Sequence, residues 1–298
     1  MDESEQSIFK KIEQIKFNAV RIVDDVLAGA YRSAFKGSGM EFEEVREYQP
    51  GDEVRSIDWN VTARMGRPFI KRFQEERELT VMLLVDMSAS SQFGSTSDSK
   101  GHYMAEIAAV LAFSAIKNND KIGLLLFSDE VESFLYPKKG VTHVMRVVRD
   151  LMQPRQKLEK GHDRNTDLSK PLQFIGNLQL RRSICFLLSD FLCPMAEHDI
   201  MLTAKKHDLI GIAVTDRFEH NFPNLSYVHM RDLESGQEAV VDTSSEEWRQ
   251  QVAMQEEKRL QTWKKMMQKS GASFIDLSSD RNYIPILKQF FKARKPVM

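Results

Sequence analysis

An apolar run, Thr80-Val81-Met82-Leu83-Leu84-Val85, ends in a carboxylate at Asp86, and two hydroxyls follow at alternating positions, Ser88 and Ser90. Three hard oxygen donors on one tight loop suit a divalent cation such as Mg2+, and Mn2+ and Ca2+ take the same kind of donor. Other strand-like runs also end in acids, at Ser128-Asp129, Ser189-Asp190 and Thr215-Asp216. In open α/β sheets, sites form beyond the carboxyl ends of the strands, where the winding direction reverses. A chain that starts in the middle of its sheet and winds outward twice makes the Asp86 and Asp190 strands neighbours, with both carboxylates on one crevice. The loop His162-Asp163-Arg164-Asn165-Thr166-Asp167 then leads toward the Asp190 strand and sets Thr166 beside that crevice. For any one of these acids, capping a helix is the more ordinary use, and Ser88 with Ser90 alone would pass as turn residues. The combination points to a site.

The elements that must position these groups follow from periodicity. Ile8, Ile12, Ile15, Ala19, Ile22, Val23 and Val26 recur at helical spacing, and Gly29 is the expected stop of that one amphipathic helix. Residues 37–73 differ in character, with Gly37-Ser38-Gly39, the turn signal Tyr48-Gln49-Pro50-Gly51-Asp52 and a strand-like Pro68–Phe73. From residue 79, runs at Val81–Val85, Ile122–Phe127, Ser183–Leu188, Leu209–Val214 and Ser273–Leu277 alternate with helical stretches. Ser244 with Glu247 reads as a capping box before the long helix that Gly271 closes. Leu225–Met230 and Glu238–Asp242, joined through Ser235-Gly236, read as an inserted hairpin. The fold class is α/β, with a doubly wound, mainly parallel sheet. The expected organisation is an N-terminal helix and β-rich segment over residues 1–78, the α/β domain over 79–292 and a basic tail over 293–298.

Composition narrows the function classes. Across 298 residues the net charge is -1, so no strong field draws the chain to nucleic acid or an anionic membrane. No run of about 18 apolar residues predicts an integral membrane segment, and the acidic start Met1-Asp2-Glu3-Ser4-Glu5 does not read as a secretory signal. The two cysteines, Cys185 and Cys193, lack zinc-site spacing and form no disulfide framework; a cytoplasmic, reducing compartment is expected. Gly37-x-Gly39 lacks a third glycine, and no phosphate loop or Gly-x-Ser-x-Gly elbow is present. Among the seven histidines, His102 and His198 read as surface or helix residues rather than ligands. Met266 and Met267 read as core, and Lys292-Ala293-Arg294-Lys295 as a solvated charge run. Arg55, Asp58, Trp59 and Arg64 have two readings: a knot with Trp59 buried among Arg–Asp pairs, or a partner-docking surface.

Asp86-Met87-Ser88-Ala89-Ser90, Thr166 and Asp190 resemble the metal-ion-dependent adhesion site of von Willebrand factor A domains. The resemblance extends to Gly37–Phe42, Arg46–Asp52, Ile57–Arg64, Asp120–Leu124 and Leu188–Phe191, which look like domain of unknown function 58 (DUF58). That bacterial family is often encoded beside MoxR-type AAA+ ATPases, and the resemblance covers about residues 29 to 292. It implies a von Willebrand factor A-like fold and a metal site at Asp86, Ser88, Ser90, Thr166 and Asp190. Mg2+ is the expected ion, with a coordination position left for an acid from outside. Ser91 departs from the bulkier methionine frequent in the family, which touches packing near the loop rather than the ligands. The implied function is a non-enzymatic interaction module, its partner a protein with an exposed acidic residue, a MoxR-type ATPase or that ATPase's client. The alternative is an Mg2+- or Mn2+-dependent hydrolase or phosphotransferase on the same acids, with Asp167 contributing. Against it, Ser88 stands where an aspartate-nucleophile enzyme carries its second acid.

Overall fold

The structure, a computed structural model, describes residues 3–23, 27–35, 41–74, 78–95, 99–152, 166–231 and 236–294. Gly37-Ser38-Gly39, Val26, Ser235, Lys295 and the part of the Thr166 loop from His162 to Asn165 lie outside them. In chain order, helices α1 (Glu3–Ile22) and α2 (Ala28–Ala34) precede a ribbon of β1 (Glu41–Glu47), α3 (Trp59–Met65) and β2 (Phe69–Gln74). The main body follows with β3 (Thr80–Asp86), α4 (Lys100–Lys117), β4 (Lys121–Phe127), β5 (Val131–Lys138) and α5 (Val141–Met152). It continues through α6 (Ser169–Asn177), β6 (Ile184–Ser189), α7 (Glu197–Lys206), β7 (Asp208–Thr215) and the single turn α8 (Arg217–His220). The last elements are the hairpin β8 (Tyr227–Arg231) and β9 (Glu238–Asp242), then α9 (Glu246–Lys269), β10 (Ser273–Ser278) and α10 (Tyr283–Ala293).

The expected α/β fold is the fold observed. Six strands lie in the order β10-β7-β6-β3-β4-β5. All pairs are parallel except β4–β5, so β5 is an antiparallel edge strand. The chain enters at β3, winds outward through β4 and β5, then returns to the other side of β3 and winds outward through β6, β7 and β10. The reversal therefore falls between β3 and β6, the strands that end at Asp86 and Ser189.

Both faces of the sheet are covered, and this explains why its strands are unbroken apolar runs rather than alternating ones. Val81, Leu83, Val85, Phe186 and Ile212 share one core with α1, α2, α4, α5 and α10. Met82, Leu84, Cys185, Leu187 and Leu209 share the other with α6, α7 and α9, where Met266 and Met267 are buried as read from the sequence. Helix α4 is apolar nearly all round, with thirteen of its eighteen residues buried, and a helix of that kind needs cover on both sides. The sheet supplies one side, and Ile12, Ile15 and Ala19 of α1 contribute to the other. Gly123 in β4 marks the closest packing on the opposite face: a Cβ there would lie 2.5 Å from the Met82 Sδ and 3.0 Å from the Leu135 carbonyl oxygen.

Local expectations needed correction in several places. Gly29 does not end the first helix; α1 stops at Ile22 and α2 runs through Gly29. Tyr31, Ala34 and Phe35 of this segment are buried, and Phe35 packs on Phe186 and Phe291, so tertiary contact overrides the weak helical preference of one glycine. The long helix is capped by Ser245, whose hydroxyl accepts the Trp248 N–H, because Ser244 is drawn back to Asp242. Arg294 is not solvated: its side chain is buried against the Phe35 and Phe290 rings and ion-paired with Asp208. Residues 59–65 form a helix that periodicity did not show, with Asp58 as its cap accepting the Asn60 and Val61 N–H groups and Gly66 (φ 69°) closing it. Trp59 is 67% exposed, which removes the buried-knot reading of that residue; within the ribbon Arg46 pairs with Asp52 at 2.7 Å.

His207 links the end of α7 to the start of β7. Its ring is buried, Nδ1 accepts the Ser183 N–H at 3.3 Å, and Nε2 has no hydrogen-bond partner among the described residues. Burial above all, with the Lys206 and Arg182 charges, pushes its pKa from 6.5 down to about 4. The fold thus disfavours the protonated ring. Its stabilising contribution is complete above pH 6.5 and is lost as the pH falls from 6.5 through 4. Calorimetric melting temperatures of the wild type should fall over that window, and His207→Gln, though less stable at pH 7, should show a shallower fall. Equal slopes would mean that another group carries the acid sensitivity.

Candidate functional site

The carboxyl end of β3 delivers Asp86 into a fully buried position. Its Oδ1 accepts the Ser88 N–H at 2.9 Å, the local bond that folds the Asp-x-Ser-x-Ser loop back over the strand end. The Ser88 and Ser90 hydroxyls meet at 3.0 Å. The Ser91 hydroxyl donates to the Ser88 carbonyl at 2.7 Å, so the small residue at this departure from the family pattern braces the loop from below. Gly101 in the first turn of α4 permits the fit, since a Cβ there would stand 3.2 Å from the Ser91 carbonyl oxygen. From 80 residues away, the Thr166 hydroxyl reaches the Asp86 Oδ2 at 3.4 Å, and its loop is anchored where the Asp167 N–H donates to the Ser128 carbonyl beyond β4. Asp167 itself caps α6 through the Ser169 N–H.

Ser189, the last residue of β6, donates its hydroxyl to the same Asp86 oxygen at 2.6 Å and accepts the Phe191 N–H at 2.9 Å. Asp190 follows, also fully buried. Burial first, and then the charge of Asp190, push the Asp86 pKa up to about 7, against the hydrogen bonds from Ser189 and Ser88. Asp190 is held from two sides. Its Oδ1 accepts the Leu192 N–H at 3.1 Å, and its Oδ2 accepts from the Lys100 ammonium at 2.8 Å. Phe191 takes a left-handed φ of 56°, an unfavourable backbone state for a bulky residue. It is kept there by its ring, packed on Trp263 and Phe274, and by Arg259 of α9, which donates to the Asp190 and Phe191 carbonyls at 2.9 and 2.7 Å. Glu256 holds Arg259 in turn.

The structure therefore brings Asp86, Ser88, Ser90, Thr166 and Asp190 into one buried cluster at the reversal point of the sheet. The other strand-end acids do not join it: Asp216 caps α8 and ties down the Ser95 N–H, and Asp129 accepts from Ser128. Among the described residues no group of three His, Cys, Asp or Glu is arranged to hold a metal. The candidate set instead combines two carboxylates with three hydroxyls, an all-oxygen donor chemistry suited to Mg2+, Mn2+ or Ca2+. Sequence reading missed Ser189, Lys100 and Arg259. Ser189 was legible as the residue before a strand-end acid. Lys100 and Arg259 reach the site from helices with nothing in their local sequence to mark them.

The family model described as "Protein of unknown function DUF58" matches residues 44–262. The chain belongs to the DUF58 family. Uncharacterized protein Rv1480 of Mycobacterium tuberculosis is 28% identical over 276 residues, covering 92% of this chain and 85% of that one. YeaD of Bacillus subtilis, also uncharacterized, is 29% identical over 107 residues, covering 36% of this chain and 25% of its own. Among solved structures, an aerotolerance-related membrane protein from Bacteroides fragilis aligns with a TM-score of 0.47 at 14% identity, over 72% of this chain and 98% of that one. The SpRpn10 VWA domain aligns with a TM-score of 0.39 at 10% identity, over 70% and 93%. In this DUF58 protein, no helix among the described residues is long and apolar enough to cross a membrane.

Replacing Arg259 tests how the Asp190 turn is held. Arg259→Met strands two carbonyl oxygens and the Glu256 carboxylate, so urea denaturation should show a loss of about 1.5–3 kcal/mol, the range for hydrogen bonds to charged groups. An unchanged midpoint would mean that the ring packing of Phe191 holds the turn unaided.

Proposed function

We propose that this DUF58 protein is a non-enzymatic, von Willebrand factor A-like interaction module. A divalent cation held by Asp86, Ser88, Ser90, Thr166 and Asp190 would capture an acidic side chain of a protein partner. The observation that carries the reading is the meeting of Thr166 with Asp86 across 80 residues of chain, on a loop whose two serine hydroxyls already converge. With the Lys100 ammonium bound to Asp190, the three hydroxyls and two carboxylates leave a divalent ion incompletely neutralised, which favours a further carboxylate from outside. That ion would supply the charge for the contact. This chain's own residues would orient it, and the Ser189 and Arg259 bonds keep the two acids in place. The partner we assign is a MoxR-type AAA+ ATPase or a client it remodels, in the reducing cytoplasm, where Cys185 and Cys193 would stay reduced.

The arrangement offers little for hydrolysis. Ser88 occupies the second acid's place and Asp167 is engaged as a helix cap, so among the described residues the site gathers fewer acids than two-metal hydrolysis uses.

The test is association of the purified chain with the purified MoxR-type ATPase of the same genome. Binding should be present in Mg2+, absent in chelator, and lost in Asp86→Ala with circular dichroism unchanged. Undiminished binding by Asp86→Ala in chelator would remove the metal bridge. Turnover of a phosphoester panel with Mn2+, lost in Asp190→Asn, would make the protein an enzyme.

A further inference from the structure

Lys100 is the first residue of α4, and its side chain is only 1% exposed. A lysine almost never buries itself this fully without paired charge. At a helix N-terminus its ammonium gains nothing from the helix dipole, which favours anions there. Its position comes from two carboxylates: Nζ lies 2.8 Å from Asp190 Oδ2 and 2.7 Å from Glu219 Oε1.

Both partners are themselves fixed. Asp190 belongs to the turn that Arg259 holds. Glu219 completes the α8 capping box, its other oxygen accepting the Asp216 N–H at 2.9 Å, and Asp216 in turn binds the Ser95 N–H of the loop that leads into α4. The Phe93 carbonyl accepts the Lys100 N–H at 2.9 Å, and the Phe93 ring lies beneath the ammonium, 5.9 Å from centroid to Nζ. Backbone and side chain are thus both held, and the positive charge has one place to stand, against an acid of the candidate site. Two carboxylates at ion-pair distance favour the charged form of the ammonium.

We infer that Lys100 is a built-in competing cation that sets the metal affinity of the site, with Glu219 as the counter-charge that moderates it. The inference rests on the metal-site reading above. An ammonium on Asp190 neutralises one of the two carboxylates available to a divalent ion and repels that ion across a buried, weakly screening medium. Glu219, shared by the same ammonium, offsets part of that repulsion. The site is thereby built to bind its ion weakly on its own and more firmly once a partner's carboxylate restores the missing negative charge, so that ion and partner bind cooperatively.

The probe is Mn2+ alone, titrated into the full chain and followed by the loss of the free-ion electron paramagnetic resonance signal. Lys100→Met keeps the stem and removes the charge, and should bind Mn2+ at least about tenfold more tightly than wild type. Glu219→Gln leaves Lys100 with Asp190 alone and should weaken Mn2+ binding several-fold. If Lys100→Met does not fold, the weakening in Glu219→Gln still decides. Wild-type binding that neither substitution moves in its stated direction overturns the role of Lys100 and leaves the metal site standing. No Mn2+ uptake by wild type or either variant overturns both.

Discussion

Two carboxylates buried side by side at the end of a parallel sheet are the constraint on which the rest of this protein depends. Asp86 and Asp190 are both inaccessible to solvent, and a buried charge is tolerated only when it is paired and hydrogen-bonded. The surrounding structure answers that demand piece by piece. Ser88, Ser189 and Thr166 supply hydrogen bonds to one acid, and Lys100 and the Leu192 N–H supply charge and a donor to the other. The sheet's winding reversal makes this concentration unavoidable, because it sets the ends of β3 and β6 next to each other.

Helix α4 ties that demand to the overall architecture. Its first turn carries Lys100 and the glycine against which the serine loop rests, and its remaining length is buried between the sheet and α1. The element that delivers the positive charge is therefore the most enclosed helix of the fold, a rigid support for a geometry that must hold within a few tenths of an ångström. The outlying elements have the opposite character. The ribbon of β1, α3 and β2 leaves Trp59, Val54 and Met65 in solvent and makes its main contacts within itself.

The sheet was legible in the sequence because strands buried on both faces are long apolar runs, each ending in a polar residue. The outward double winding was an assumption of the doubly wound reading, and the adjacency of the Asp86 and Asp190 strands followed from it; the observed strand order has both. The edge strand β5 escaped notice because Val131–Lys138 is mostly half-exposed and mixed in composition. Helix α3 escaped because it has no buried residue to impose a period. At the site, residues on strand-end loops were found and residues on helices were not. A loop of small oxygen-bearing side chains announces its chemistry locally, whereas Lys100 and Arg259 are ordinary helix residues until the fold brings them to Asp190. Arg294 was misread for the same reason: a short basic run looks solvated unless the position of Asp208 is known.

The aromatic contact between Phe191 and Trp263, with ring centroids 4.9 Å apart, has an optical consequence. Of the three tryptophans, Trp263 is buried, Trp59 is exposed and Trp248 is half-buried against Phe222, so Trp263 is the indole least open to aqueous quenchers. Because Phe191 is the residue after Asp190, the emission best protected from aqueous quenchers comes from an indole that touches the turn behind the site. The chain carries an intrinsic spectroscopic reporter of whatever repositions that turn, with no label to attach.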